Sequence, residues 1–595
     1  MQKDSLHNFH IPVMGIGFTI DTPAKVAHFG ISSVISLVDD ILIEKMRAYH
    51  SKIRNKTYKA ITKYDDDFRA KRISAYLNLL GEIAQENFES MKKNMLEEDS
   101  IFSKYINMLP SDSKAKQFIN QAIQSNISIQ KLQQLVDEHL TIGSIDVNIM
   151  TKLDKENYKD GETLPTEFND AHAALRGFAN SKLNSSIVLS AGMNPRLYSY
   201  LEQFEDFYPD KNGTLNKKII LKVSDYRSAL IQGKFLAKKG IWVSEYRIES
   251  GLNCGGHAFA SEGYLLGSNL EEFKVKREEL VASVYEIYTS ALNGKSKVIP
   301  AKPLSIKITA QGGVGTEEEH NFLLKQYNLD SIGWGTPFLL VPEVVSIDKD
   351  TLDKLCKAQE EDLYLSNISP LGVPFNSLKG NTKDKEKEAN ILKNRPGSSC
   401  PKEYASLSKE FTNKSICVAS RQYQNLKIKE LNAKDLDDKS FRVALDRITE
   451  KSCICTGLGT AALLSKDLST KTEGSGVSVC PGPNMAYYSK ISTLVDMANH
   501  IYGRAEIEVR KNRPNFLIKE LALYIDYLNN KIIDPIAPFT EKQIDRFTNN
   551  LLNGIEYYSD LFKTEDLDER KLMFQADLEI LRLKLNYKCS RTVVQ

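Results

Sequence analysis

ITAQGGVGTEEEH, residues 308–320, and SIGWGTPFLLVPE, residues 331–343, are the stretches on which the reading of the fold turns. In the first, an apolar strand runs into Gly312-Gly313, and Thr316 with Glu319 three residues later has the pattern of a capping box at a helix start. In the second, another short apolar run ends at Gly335-Thr336. Glycines at strand ends let backbone amides approach a phosphate closely, and a helix N-terminus behind them adds partial positive charge. The loops after the last two strands of a (β/α)8 barrel often form such a phosphate site. A lone Gly-Gly pair is also what a tight turn uses, so it is the second glycine site, after the next strand, that points to a barrel.

Upstream of these motifs, strand-like runs occur at IPVMGIGF (11–18), GISSVISLVDD (30–40), IDVNIM (145–150), SSIVLSAG (185–192), KKIILKV (217–223) and IWVSEYRI (241–248). Helical patterns such as SDYRSALIQGKFLAKKG (224–240) separate most of them, and alternation of this kind argues for βα units and a parallel sheet. With the two motif strands the count reaches eight, which predicts an α/β (β/α)8 TIM barrel over residues 1–350. Residues 41–140 interrupt it after the second strand. They are rich in Lys, Glu, Gln, Asn and Leu, with apolar residues at three- and four-residue spacing, so they read as a large helical insertion. Residues 351–484 read as a Cys-containing, loop-rich extension, with KGNTKDKEKEANILKNRPGSS (379–399) as a surface excursion. Residues 485–595 read as a C-terminal helical region.

The bulk composition narrows the function classes. With 79 basic and 77 acidic residues the formal net charge is +2, which gives no electrostatic reason to expect nucleic acid or an anionic membrane surface as partner. No apolar run approaches the ~20 residues that span a bilayer, and the first residues lack the basic-then-apolar pattern of a secretory signal. The expectation is a cytoplasmic protein with reduced thiols.

GLNCGGHAFASEG, residues 251–263, follows the sixth strand run and places His257 at the C-terminal end of a barrel strand, where barrel active sites lie. A histidine there suits proton transfer to or from a substrate carbon; the plainer reading is a loop histidine satisfied by backbone. Taken together, the motifs resemble a family. GLNCGGH resembles the Glu-Ala-Gly-Gly-His element of nitronate monooxygenases (2-nitropropane dioxygenases) and the related flavin-dependent enoyl-ACP reductases. ITAQGGVGT followed by IGWGTPFLLVPE is similar to their Ala-Gly-Gly-Ile and Met-Gly-Thr-Arg-Phe pair, which cradles FMN phosphate. IPVMGIGF is similar to their opening Pro-Met strand, and IDVNIM to the third-strand Gly-Val-Asn-Leu.

The resemblance implies an FMN-dependent oxidoreductase in which Gly312, Gly313, Gly335 and Thr336 hold the phosphate. Asn148, Met14, Gly15, Gly255 and Gly256 would lie along the flavin, and His257 would be the catalytic acid or base. The implied small-molecule substrate is a nitronate; the enoyl reductase alternative implies an enoyl thioester and NAD(P)H. A third reading is a non-catalytic barrel serving in binding or assembly, its added helices docking a partner protein or a second copy of the chain. The sequence departs from the family at Asn253-Cys254, in place of Glu-Ala, and at Pro337, where Arg is usual, which bears on the substrate more than on the flavin.

Six of the eight cysteines fall within 345–484. Two readings stand for them. Cys400, Cys453, Cys455 and Cys480, with Cys417 as an alternative ligand, hold an iron–sulfur cluster or zinc. Otherwise all five are buried structural thiols, the chain having no C-x2-C pair.

Overall fold

The computed structural model describes residues 5–592 except 96, 98, 99, 126, 191, 508, 511, 536 and 564–568. Eight parallel strands close into a barrel: β1 (Phe9–Ile11), β2 (Ser32–Ser36), β3 (Ile145–Met150), β4 (Ser185–Ser190), β5 (Lys217–Val223), β6 (Val243–Glu249), β7 (Lys307–Gln311) and β8 (Ser331–Gly333). They pair in chain order, and β8 closes on β1 with Phe9 opposite Ile332 and His10 opposite Gly333. The α/β barrel expected from the glycine motifs is therefore the observed fold, with the helical insertion after its second strand. The first strand lies earlier than IPVMGIGF suggests. Pro12 offers no N–H to a ladder, so pairing ends at Ile11 and residues 12–20 turn across the barrel mouth.

Side chains alternate between the inside and outside of a strand, and this period decides what faces the barrel axis. Val34, Val188 and Ile220 form a small apolar cluster of their own, separate from the main core. Polar side chains occupy part of the interior: Arg247 pairs with Glu245 at 2.7 Å, and Thr309 donates to the same carboxylate at 2.6 Å. The next residue of the same parity on each strand belongs to the layer at the C-terminal mouth.

The insertion consists of the helices Asp40–Ile53, Phe68–Lys93, Ile101–Met108, Lys114–Gln124 and Ile129–His139. The longest buries Ile73, Tyr76, Leu77, Leu80 and Ile83, a three-to-four-residue spacing that presents one face to the helices Asp40–Ile53 and Asp170–Ala179. Each such side chain contributes about 1.5–3 kcal/mol through removal from water.

The extension holds more regular structure than its composition suggests. It contains the helices Lys349–Lys357, Thr382–Leu392, Arg421–Asn432, Asp438–Thr449 and Ile454–Leu464, and an antiparallel hairpin of β9 (Leu363–Ser366) and β10 (Phe375–Leu378). The stretch read as a surface excursion carries the helix Thr382–Leu392, capped by Asn381, with Lys383 and Asp384 buried. It is held by polar contacts, Asn381 to Asp384 at 2.6 Å and Lys383 to Glu386 at 3.0 Å, so apolar periodicity does not reveal it.

Buried charges tie the extension to the barrel. Lys402 lies 2.5 Å from Asp39, at the end of β2, and 3.2 Å from Glu473, while Tyr404 donates to Asp39 at 3.0 Å. Asp40 is in turn held by Arg69 and Arg72. The helices Phe516–Ile532, Glu541–Leu561 and Glu569–Thr592 complete the chain. Among the described residues no helix is long and apolar enough to cross a membrane.

Candidate active site

At the C-terminal ends of the strands the inward parity places one residue per strand around the barrel axis. These are Pro12, Ser36, Asn148, Ser190, Lys222, Glu249, Gln311 and Gly333, and all eight line one cavity. Its volume, with the opening to solvent counted, is about 1470 Å³. In the floor, Lys222 lies 2.7 Å from Glu249, and Gln311 donates to the other oxygen of that carboxylate at 2.6 Å. Asn148 Oδ1 and Gln311 Oε1 are buried without a protein partner. A buried amide left unmatched costs about 1–3 kcal/mol, so these atoms await a ligand or water.

Two backbone loops form one wall. After β7 the chain turns through Gly312 and Gly313, the latter at φ +72°. A Cβ at Gly313 would stand 2.0 Å from Asn253 Nδ2, so both backbone conformation and space require glycine. Among the described residues no protein acceptor takes the backbone N–H of Gly313, Val314, Gly335 or Thr336, and all four residues line the cavity. Thr316 caps the following helix by accepting from Glu319 N–H at 3.3 Å, as the sequence predicts. The reciprocal half of the box is absent: Glu319 turns its carboxylate to Gly315 N–H, 2.9 Å, and to Arg513.

The loop after β6 forms the opposite wall. Gly255 packs so closely beneath the segment 480–482 that a Cβ would lie 2.5 Å from Cys480 O. The hairpin β9–β10 grips this loop: Asn376 donates to Cys254 O at 2.7 Å, and its own N–H bonds to Gly256 O at 2.9 Å. His257 Nε2 lies 2.7 Å from Ser369 Oγ, and its ring meets Phe375 edge-on at 5.0 Å. Burial, with Lys222 nearby, lowers the imidazole to about 4, so His257 is neutral at pH 7. Burial, with Glu249 adding to it, raises the Cys254 thiol, which therefore stays protonated and packs as a small apolar side chain.

Every residue that the motifs single out for the flavin and its chemistry borders this one cavity: Met14, Gly15, Asn148, Gly255, Gly256, His257, Gly312, Gly313, Gly335 and Thr336. What the motifs miss is the roof. Leu371 and Phe375 from the hairpin, Ile454, Cys455 and Leu458 from the helix Ile454–Leu464, and Val479 to Asn484 close over the barrel mouth. Leu458 O accepts Gly17 N–H at 2.9 Å, fastening that helix to the turn after β1. Lys222, Glu249 and Gln311 were findable from the sequence, since each lies two residues beyond an inward-facing strand residue.

Among the described residues no group of three or more His, Cys, Asp or Glu side chains is placed to hold a metal ion. The neighbouring Cys400 thiol draws Cys453 down to about 6 against the effect of its burial. Cys417 and Cys455 lie near enough to feel the charge on Cys453, and burial pushes both thiols up. Cys480 is elsewhere, its thiol against the backbone of Gly15 and Gly256 in the cavity wall. Of the ligand set Cys400, Cys453, Cys455 and Cys480, with Cys417 as alternative, four thus gather around Cys453 and Cys480 alone lies apart, in the cavity wall.

Neither a family model nor a curated protein matches the chain. Among solved structures it is similar to the enoyl reductase domain of MlnA from the macrolactin biosynthesis cluster of Bacillus amyloliquefaciens. The identity is 14%, over 75% of this chain and 94% of that one, with a TM-score of 0.32. A likeness of that degree bears on neither substrate nor cofactor. The fold rests on the strand order of the barrel, and the site on its own residues.

Proposed function

We propose that this chain is an FMN-dependent oxidoreductase of the nitronate monooxygenase type. One observation carries the reading. Unclaimed amides after β7 and β8, unmatched side-chain amides in the floor and a neutral histidine in the opposite wall converge on one cavity at the C-terminal mouth of the barrel. A phosphate needs several N–H donors at close range, and the unclaimed amides of Gly313, Val314, Gly335 and Thr336, in the turns that begin at Gly312 and Gly335, offer them. The edge of a flavin ring alternates carbonyl and N–H groups, which the amides of Asn148 and Gln311 can match. The backbone of Met14 and Gly15 would border the ring on one side and Gly255 and Gly256 on the other.

FMN bound here would supply one- or two-electron acceptance, the hard part of the chemistry. The chain's own residues supply the rest. His257, oriented by Ser369, offers a neutral imidazole to the substrate carbon or its oxygen. Leu371, Phe375 and Leu458 keep water from the reacting centre. The lining holds one ammonium among the described residues, Lys222, and Glu249 takes up its charge. No cation is left there for the phosphates of a dinucleotide or of a carrier-bound thioester, which favours a small nitronate over the enoyl reductase reading.

The test is an absorption spectrum of the purified chain, identification of released cofactor, and anaerobic mixing with an alkyl nitronate. Oxidised-flavin bands, released FMN and bleaching by the nitronate are expected. Bleaching by NAD(P)H with no response to nitronate would move the assignment to the enoyl reductase class. A colourless protein that takes up no FMN would leave the non-catalytic barrel. His257→Ala is expected to keep FMN bound while turnover falls about 100-fold, the usual worth of a positioned acid or base; unchanged turnover would remove His257 from the mechanism.

A further inference from the structure

The loop after β7 is held from behind by residues far along the chain. Arg513 donates through Nη2 to Gly313 O at 2.7 Å, forks onto Glu319 at 2.7 and 2.8 Å, and donates through Nε to Asn484 Oδ1 at 2.8 Å. Asn484 donates to Val314 O at 3.3 Å. Tyr488 donates to Gly315 O at 2.8 Å, with His500 Nε2 at 2.9 Å from the same oxygen. Three consecutive carbonyls, those of Gly313, Val314 and Gly315, are therefore claimed by the segment 484–513.

In a trans peptide the C=O of one residue and the N–H of the next point in opposite directions. Fixing Gly313 C=O on Arg513 aims Val314 N–H the other way, and that N–H has no protein acceptor among the described residues. The neighbouring peptide shows the same logic with its donor used: Val314 C=O is on Asn484, and Gly315 N–H is on Glu319. Arg513 and Glu319 have side chains only 7% and 8% exposed and neutralise one another, so the pair sets direction rather than adding charge. Lysine would not replace Arg513, because a single ammonium cannot fork onto Glu319 and reach Gly313 O at once.

We infer that Arg513 is a positioning residue for phosphate binding, aiming the amide of Val314 into the cavity through the carbonyl of Gly313. The inference rests on the FMN reading above and extends the phosphate site to a residue 200 positions away from Gly313 in the sequence.

The experiment separates the phosphate from the ring. Flavin-free full-length protein is titrated with FMN and with riboflavin, which lacks the phosphate, following quenching of flavin fluorescence; thermal melting is recorded alongside. The wild type is expected to prefer FMN. Arg513→Lys is expected to weaken FMN by about tenfold or more while riboflavin affinity stays within about twofold. Should Arg513→Lys lose its cooperative melt, Asn484→Ala, which removes the acceptor that holds Arg513 Nε at 2.8 Å, is read by the same ratio. Parallel weakening of both flavins would make Arg513 a residue of general stability, and unchanged FMN affinity would leave it no part in the site; either result overturns the inference. A wild type that binds FMN no tighter than riboflavin would instead refute the phosphate site itself.

Discussion

Glu520 is 1% exposed, on the helix Phe516–Ile532, behind the loop that follows β6. One carboxylate oxygen accepts the Ser250 hydroxyl at 2.5 Å, and the other accepts Leu266 N–H at 2.9 Å. Burial pushes the carboxyl up to about 7, with the bonds from Ser250, Leu266 and Tyr558 restraining the rise. Tyr524, Tyr558 and Cys254, titratable neighbours, are all raised by burial and stay protonated. In the unfolded chain a glutamate ionises near 4.5. Between that value and about 7 the folded state keeps a proton that the unfolded state has released, so stability falls as pH rises through this window and is highest below it. From 4.5 to about 7, at ~1.4 kcal/mol per pH unit, the swing is about 3 kcal/mol. Glu520→Gln keeps the shape and has no proton to lose. Urea denaturation of both proteins from pH 4.5 to 8 should show the variant gaining about 3 kcal/mol on the wild type across the range. A difference that stays constant with pH would refute the argument, because it would mean that Glu520 is ionised in the folded state throughout.

Two further outcomes follow from the same geometry. Gly313→Ala puts a side chain at φ +72° and against Asn253, itself held at 3.1 Å by Phe516 O, so FMN affinity in the fluorescence titration should fall about tenfold to 100-fold; unchanged affinity would remove the loop from the site. Lys402→Met leaves Asp39 facing buried space without its ammonium and should cost about 3 kcal/mol in urea denaturation, with faster proteolytic cleavage in the extension; a loss below about 1 kcal/mol would show that Tyr404 and the Leu42 N–H satisfy Asp39 without it.

The barrel was legible because its strands are short runs of buried residues bounded by helices, and the turn after β7 because glycine is the one residue that tolerates its backbone. IDVNIM and KKIILKV coincide with β3 and β5. Parity then places Asn148 and Lys222 at the mouth, although a lysine at a strand end reads more readily as a solvent-facing residue. Glu319 shows where local pattern stops. Its spacing from Thr316 is that of a capping box, yet its carboxylate is taken by an arginine 194 residues away and by Gly315. A stronger, charge-assisted partner displaced the weaker local one, and nothing within a few residues of Glu319 announces that partner. The cysteines fail for a related reason. Cys453 and Cys455 stay together because one turn joins them, whereas Cys480 follows a separate loop to the barrel wall.

The regions read as additions are where the site is completed. Loops at the mouth of a barrel carry backbone groups that must be satisfied once they are buried, and short βα loops cannot satisfy one another. Here the loop from Ser250 to Ala258 takes its partners from Asn376, Pro374 and Phe516, and the loop after β7 takes its partners from Asn484, Tyr488 and Arg513. These donors and acceptors come from the hairpin β9–β10 and from the segment 484–516, so the extension and the C-terminal region are structural members of the cavity and not appendages to it. It follows that removing residues beyond 351 would not yield a smaller barrel with the same cavity. It would leave two glycine loops without the bonds that give their amides a direction, and a cavity whose roof is solvent.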